Sequence, residues 1–95
     1  MDQPPRSSDG LDRRRKRILF RARHRGMHEL DIILGRFADA RIADLTASEL
    51  DTFEGLLAAA EPDLYDWLMG AATPPPGAAA ALVTEIGAFR LKHDR

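Results

Sequence analysis

The sequence predicts an all-α fold, a compact bundle of five short helices, on three observations. Apolar residues recur at intervals of three and four along most of the chain, the spacing of helices that bury one face. Aromatics are few and β-branched residues are sparse beside Leu and Ala, a balance that favours helix over sheet. No stretch alternates polar and apolar residues as a strand would, and no internal repeat is visible. With 95 residues the chain makes one small domain with a modest core.

Each element follows in order. Residues 1–10 read as a disordered tail, because Pro4, Pro5, Ser7, Ser8 and Gly10 leave no periodicity; residues 11–95 form the helical domain. The first helix is expected from about Leu11 to Arg25, with Leu11, Ile18, Leu19 and Ala22 on a narrow apolar stripe and Phe20 off it. The second runs from about Met27 to Arg41, burying Met27, Leu30, Ile33, Leu34, Phe37 and Ala38; Asp39 to Asp44 then breaks the pattern. Thr46 followed by Glu49 is a capping box that starts the third, whose stripe is Leu50, Phe53, Leu57 and Ala60. Pro62 disfavours helical geometry at Glu61 and suits the first turn of a new helix. The fourth helix is therefore expected over about Pro62 to Met69, burying Leu64, Trp67 and Leu68. Gly70 to Gly77 is a loop stiffened by three prolines, and the fifth helix spans about Ala78 to Lys92, with Leu82, Val83, Ile86 and Phe89 inward.

Composition excludes several classes of function. Without cysteine there is no disulfide framework, thiolate metal site or cysteine nucleophile. No apolar run approaches the roughly 18 residues of a membrane span, so membrane insertion is not expected. The opening lacks a signal peptide's apolar stretch, and Asp2 and Asp9 argue against a transit peptide, so a soluble cytoplasmic protein is expected. The net charge of −1 hides an asymmetry. Residues 1–25 carry nine Arg/Lys and three Asp, net +6, and residues 26–95 carry five Arg/Lys and twelve Asp/Glu, net −7. The two halves can face each other or different surfaces of a partner.

Three features invite a chemical reading. The RRRKR run at 13–17 could make phosphate contacts, but with no supporting nucleic-acid motif and an acidic remainder it reads first as a solvated helix face. His24 and His28 have metal-ligand spacing but no convincing third ligand, so no metal site is assigned. Gly26 lies in HRGMHELD, between an arginine-rich helix and an acidic one. As a helix C-cap it would allow a sharp corner, which accounts for the glycine but selects neither Arg25 nor Glu29. A corner glycine also exposes backbone, so that a partner can approach between two opposite charges.

The blocks RKRILFRARHRGMHELD, LTASELDTFEGLL and EPDLYDWLM, in this order and spacing, resemble the succinate dehydrogenase assembly factor family, also called the FAD assembly factor or SdhE family. The family's RGxxE signature corresponds to Arg25, Gly26 and Glu29. The resemblance implies a five-helix domain of the bacterial cytoplasm that promotes covalent FAD attachment to the flavoprotein subunit of succinate dehydrogenase, and in some bacteria fumarate reductase. It implies no catalytic residue of its own and no stably bound cofactor, FAD being that of the client. It further implies partner contacts at Arg25, Gly26 and Glu29, with Asp31 continuing the GMxELD form and Asp63 and Trp67 in the later block. From the residues alone Trp67, on the same face as Leu64 and Leu68, reads as core before site. The ten-residue tail and the ATPPPG loop at 72–77 depart from compact members of the family. A monomer without nucleic acid is expected. The alternative reading makes residues 13–25 the face of a nucleic-acid-binding or toxin–antitoxin-type regulatory module, and a free FAD-binding protein is disfavoured by the lack of a dinucleotide fingerprint.

Overall fold

A computed structural model describes the backbone of residues 10–93 and side chains through Lys92; the expected tail at residues 1–9 lies outside the described part. Five α-helices and one 3-10 turn make up the regular structure, with no strand among the described residues. They are α1 (Arg13–Arg23), α2 (His28–Arg41), the 3-10 turn (Ile42–Asp44), α3 (Ala47–Leu57), α4 (Glu61–Met69) and α5 (Ala78–His93).

Helix α1 starts where Asp12 accepts a hydrogen bond from the Arg15 backbone N–H at 2.7 Å, satisfying one of the orphan donors of the first turn. That bond, with the Arg15 side chain beside it, holds the Asp12 carboxyl below its usual 3.8. The helix buries Ile18, Leu19 and Ala22 and ends at Arg23, two residues before the expected Arg25. The reason is local: the His24 N–H turns to the carbonyl of Arg21 (3.3 Å), and the Arg25 N–H is taken by the Asp31 side chain (2.6 Å). Gly26 is therefore not the C-cap, which is His24, but it does adopt a left-handed φ of 90°.

Helix α2 forms around Leu30, Ile33, Leu34, Phe37 and Ala38, all buried, with Met27 half-buried as its N-cap. The expected break after Asp39 takes the form of a tightening into the 3-10 turn, which buries Ile42. The capping box of α3 is present in both directions: Glu49 N–H to Thr46 Oγ1 at 3.1 Å and Thr46 N–H to Glu49 Oε1 at 2.9 Å. Leu50, Phe53, Leu56 and Leu57 are buried, but Ala60 is exposed and belongs to the next helix as its N-cap. Helix α4 begins at Glu61, one residue earlier than Pro62 suggested, because the Leu64 N–H bonds to the Ala60 carbonyl. Pro62 then falls within the first turn, where the N–H it lacks would have no intrahelical acceptor. Leu64 and Leu68 are buried, whereas Trp67 is only half-buried. Gly70 closes α4 at φ 79°, with the Ala71 N–H returning to Asp66.

Helix α2 packs on α1 and α5; α5 also meets α3 and α4, and α1 reaches across to α3. The core is continuous, and Phe37 occupies its middle, edge-on to both Phe53 and Phe89 at centroid distances of 5.7 Å. Phe89, expected inward, is half-buried at this edge. The two charged halves of the sequence do meet. Arg14 bonds Asp51 (2.6 Å) and Glu54 (2.7 Å) across α1 and α3, and Arg23 pairs with Asp39 of α2. Of the described helices, none is long and apolar enough to cross a membrane.

Candidate functional site

The short link from α1 to α2, residues 24–27, is a knuckle fixed by its own side chains. Arg25 lies half-buried, with its guanidinium turned toward the end of α3. It donates to the carbonyl of Leu57 (2.5 Å) and, at longer range, to that of Ala59 (3.5 Å). Carbonyls at a helix C-terminus lack intrahelical partners and carry the negative end of the helix dipole, so a cation there satisfies both needs. Arg25 Nε is the one buried side-chain nitrogen or oxygen without a partner among the described residues. Asp31, in the first turn of α2, accepts the Arg25 backbone N–H. Arg25 and Asp31 are thus both engaged inside the chain, and together they set the knuckle on the α3–α4 turn.

Gly26 and Glu29 face the other way. Gly26 is exposed; a Cβ added there would meet open space apart from Glu61 Oε2 at 4.0 Å. Its positive φ strains any L-residue, so Gly26→Arg would disturb the backbone as well as the surface. Glu29 is exposed and makes no hydrogen bond or ion pair with a described residue. It lines a small cleft between α2, the end of α4 and α5, with Met69, Phe89 and Arg90 on the far side.

Asp63 and Trp67 lie one turn apart on α4. Asp63 is exposed, and Trp67 lines a shallower groove against α5 with Gly87 and Leu91. Met69 and Arg90 line both the cleft and the groove, and the Arg90 guanidinium leans on the Met69 sulfur at 3.8 Å. The candidate residues therefore divide into two inward-acting ones, Arg25 and Asp31, and four that present surface. Glu29 and Trp67 sit on either side of the Met69–Arg90 ridge.

The basic helix divides in the same way. Arg15 donates to the carbonyls of Ile42 (2.9 Å) and Leu45 (2.5 Å), and clamps the 3-10 turn as Arg25 clamps α3. Arg14, Arg21 and Arg23 face carboxylates. Arg13, Lys16 and Arg17 remain exposed, without an ion pair to a described residue. The clamping roles of Arg15 and Arg25 were missed from the sequence, where Arg15 belongs to the RRRKR run and Arg25 reads as a partner contact. His24 places Nδ1 2.8 Å from the Phe20 carbonyl and stacks on the exposed Phe20 ring at 4.0 Å. Among the described residues no three His, Asp or Glu side chains are grouped to hold a metal ion.

Comparison with known proteins adds a family match. A family model described as "flavinator of succinate dehydrogenase" matches residues 16–90. The FAD assembly factor SdhE of Acetobacter pasteurianus is 45% identical over 64 residues, covering 67% of this chain and 59% of that protein. The mitochondrial succinate dehydrogenase assembly factor 2 of Dictyostelium discoideum is 37% identical over 65 residues, covering 68% of this chain and 46% of that one. The FAD assembly factor SdhE of Coxiella burnetii is 41% identical over 71 residues, 75% of this chain and 85% of that one. The chain thus spans well under two thirds of the first two relatives and most of the third.

Proposed function

The chain belongs to the family of succinate dehydrogenase flavinators, and from that premise we propose that it promotes covalent attachment of FAD to the flavoprotein subunit of succinate dehydrogenase. Fumarate reductase, whose flavoprotein subunit would present the same chemistry, is a second client in this reading. The chain acts as a binding partner and not as an enzyme, in the bacterial cytoplasm, and FAD stays with the client.

The observation that carries the reading is the knuckle. Gly26 and Glu29 are exposed, with no side-chain partner among the described residues, while Arg25 and Asp31 hold the link in one shape from behind. Attachment joins a client histidine nitrogen to a flavin methyl carbon: the imidazole N–H and one methyl C–H each give up a proton, and the two electrons released reduce the flavin ring. It requires the two groups close and aligned, with charge developing on the flavin ring stabilised. The client can supply all of those groups. A small helper need only bind better to the conformer in which they are aligned, and its effect is bounded by that preference. A preformed knuckle suits this task, because little ordering entropy opposes docking. Gly26 lets a partner backbone come close, Glu29 supplies a directed charge, and Asp63 and Trp67 extend the contact along α4.

The test is covalent flavin on the client. The flavoprotein subunit is purified from cells with the wild-type chain, without it, and with Glu29→Ala, then denatured and read by protein-bound flavin fluorescence in a gel. Flavin with the wild type and much less in the other two is expected. Equal flavin in all three would refute the reading.

A further inference from the structure

The cleft beside Glu29 extends beyond the knuckle along α2 and has chemistry of its own. Its volume is about 130 Å³, close to the ~150 Å³ of a cavity that takes one benzene, so it has room for one bulky side chain. Ile33, Met69 and Phe89 give it apolar walls, and Ile32, 36% exposed, stands at the mouth. The rim is charged: Glu29 at one end of the α2 side, Arg36 at the other, and Arg90 across from them. Glu29 and Arg36 are seven positions apart, about 10 Å along the helix, and neither forms an ion pair or side-chain hydrogen bond with a described residue. An extended chain rises roughly 3.3 Å per residue and turns alternate side chains to opposite faces, so same-face residues recur every two positions, and four positions, about 13 Å, come nearest to that span.

We infer that this cleft receives one bulky apolar side chain from an extended segment of the client flavoprotein, flanked two positions to either side, on the same face, by a basic residue that pairs with Glu29 and an acidic residue that pairs with Arg36. The inference rests on the assembly role proposed above and extends it to the client's sequence chemistry. A partner seated on the knuckle must pass over Glu29, and Glu29 is itself a wall of the cleft. The opposite charges at the two ends also fix the direction in which such a segment lies.

Titration calorimetry of the purified client subunit against the full chain tests this, with Ile32→Ser, Arg36→Glu, Glu29→Ala and, on the remote face of α1, Lys16→Glu. Thermal melts confirm folding; Arg36 is exposed, so its variant serves even where Ile32→Ser unfolds. Ile32→Ser and Arg36→Glu are each expected to weaken binding about tenfold or more, and Lys16→Glu by no more than about twofold. Reversing the client's acidic residue should restore affinity to Arg36→Glu. If Glu29→Ala weakens binding while both cleft variants bind like wild type, the cleft assignment falls and the knuckle reading stands. If the wild type does not bind the client, both fall. Loss of self-association in the cleft variants, with client affinity unchanged, would seat a second copy there instead and overturn the assignment.

Discussion

Arg25 points its guanidinium at the last carbonyls of α3, whereas Glu29, four positions on, points its carboxylate into solvent at the mouth of a cleft. The two residues of one short motif therefore separate by experiment. Arg25→Ala removes a charged hydrogen bond from orphan carbonyls and should lower stability by about 1–3 kcal/mol. At roughly 4–8 °C per kcal/mol for a domain of this size, a thermal melt resolves it. Glu29→Ala should melt like the wild type and fail in client binding and flavin attachment. A wild-type melt for Arg25→Ala together with lost flavin attachment would instead give Arg25 a direct contact with the client. The sequence could not show this division: an arginine's five donors serve a phosphate, a carboxylate or a helix end equally well, and only the tertiary fold brings Leu57 within reach.

At the scale of elements, the helix starts carry the local information. Thr46→Ala breaks the capping box of α3 and should cost about 1 kcal/mol, measured by urea unfolding. Asp12 caps α1 through a carboxylate whose folded pKa lies below 3.8, so its contribution is present above that value and is lost as pH falls through the lower folded one. The wild type should therefore melt above Asp12→Ala at pH 7, and the two melting temperatures should converge as pH falls through the lowered folded value. The start of α3 was legible because Thr46 and Glu49 declare it within four residues, and α2 and α4 end at Arg41 and Met69 as expected. Helix α1 was less so, starting two residues after the expected Leu11 and ending two before Arg25. Arginine-rich α1 has no apolar residue after Ala22 to mark where it stops, and its end depends on a bond from Asp31 in the next helix. Ala60 fits the spacing of α3 yet caps α4, because the turn at 58–60 is set by packing and by the Arg25 clamp.

For the whole molecule, the apolar pattern gave the fold class and most of the core, but not which surfaces would meet. Phe37 shows the cost of a small core. It touches Phe53 of α3 and Phe89 of α5, and so ties three helices together. Phe37→Ala should lose about 3–5 kcal/mol, comparable with the entire stability of many domains near 5 kcal/mol. Circular dichroism in urea should show a large fraction unfolded before denaturant is added. The +6 and −7 halves were visible as numbers, and their meeting across α1, α2 and α3 was one of two arrangements the sequence left open. The Glu29 cleft was not legible at all, since its walls come from positions 29–36, 69 and 89–90.

Trp67 is the chain's single tryptophan and stands half-buried in the groove across the Met69–Arg90 ridge from Glu29. Its placement makes the protein its own optical probe. Unfolding moves the indole into water and reddens its emission, while a partner that covers the groove moves it the opposite way. The colour of one residue's light thus distinguishes a chain that has come apart from one that has been occupied, with no dye attached.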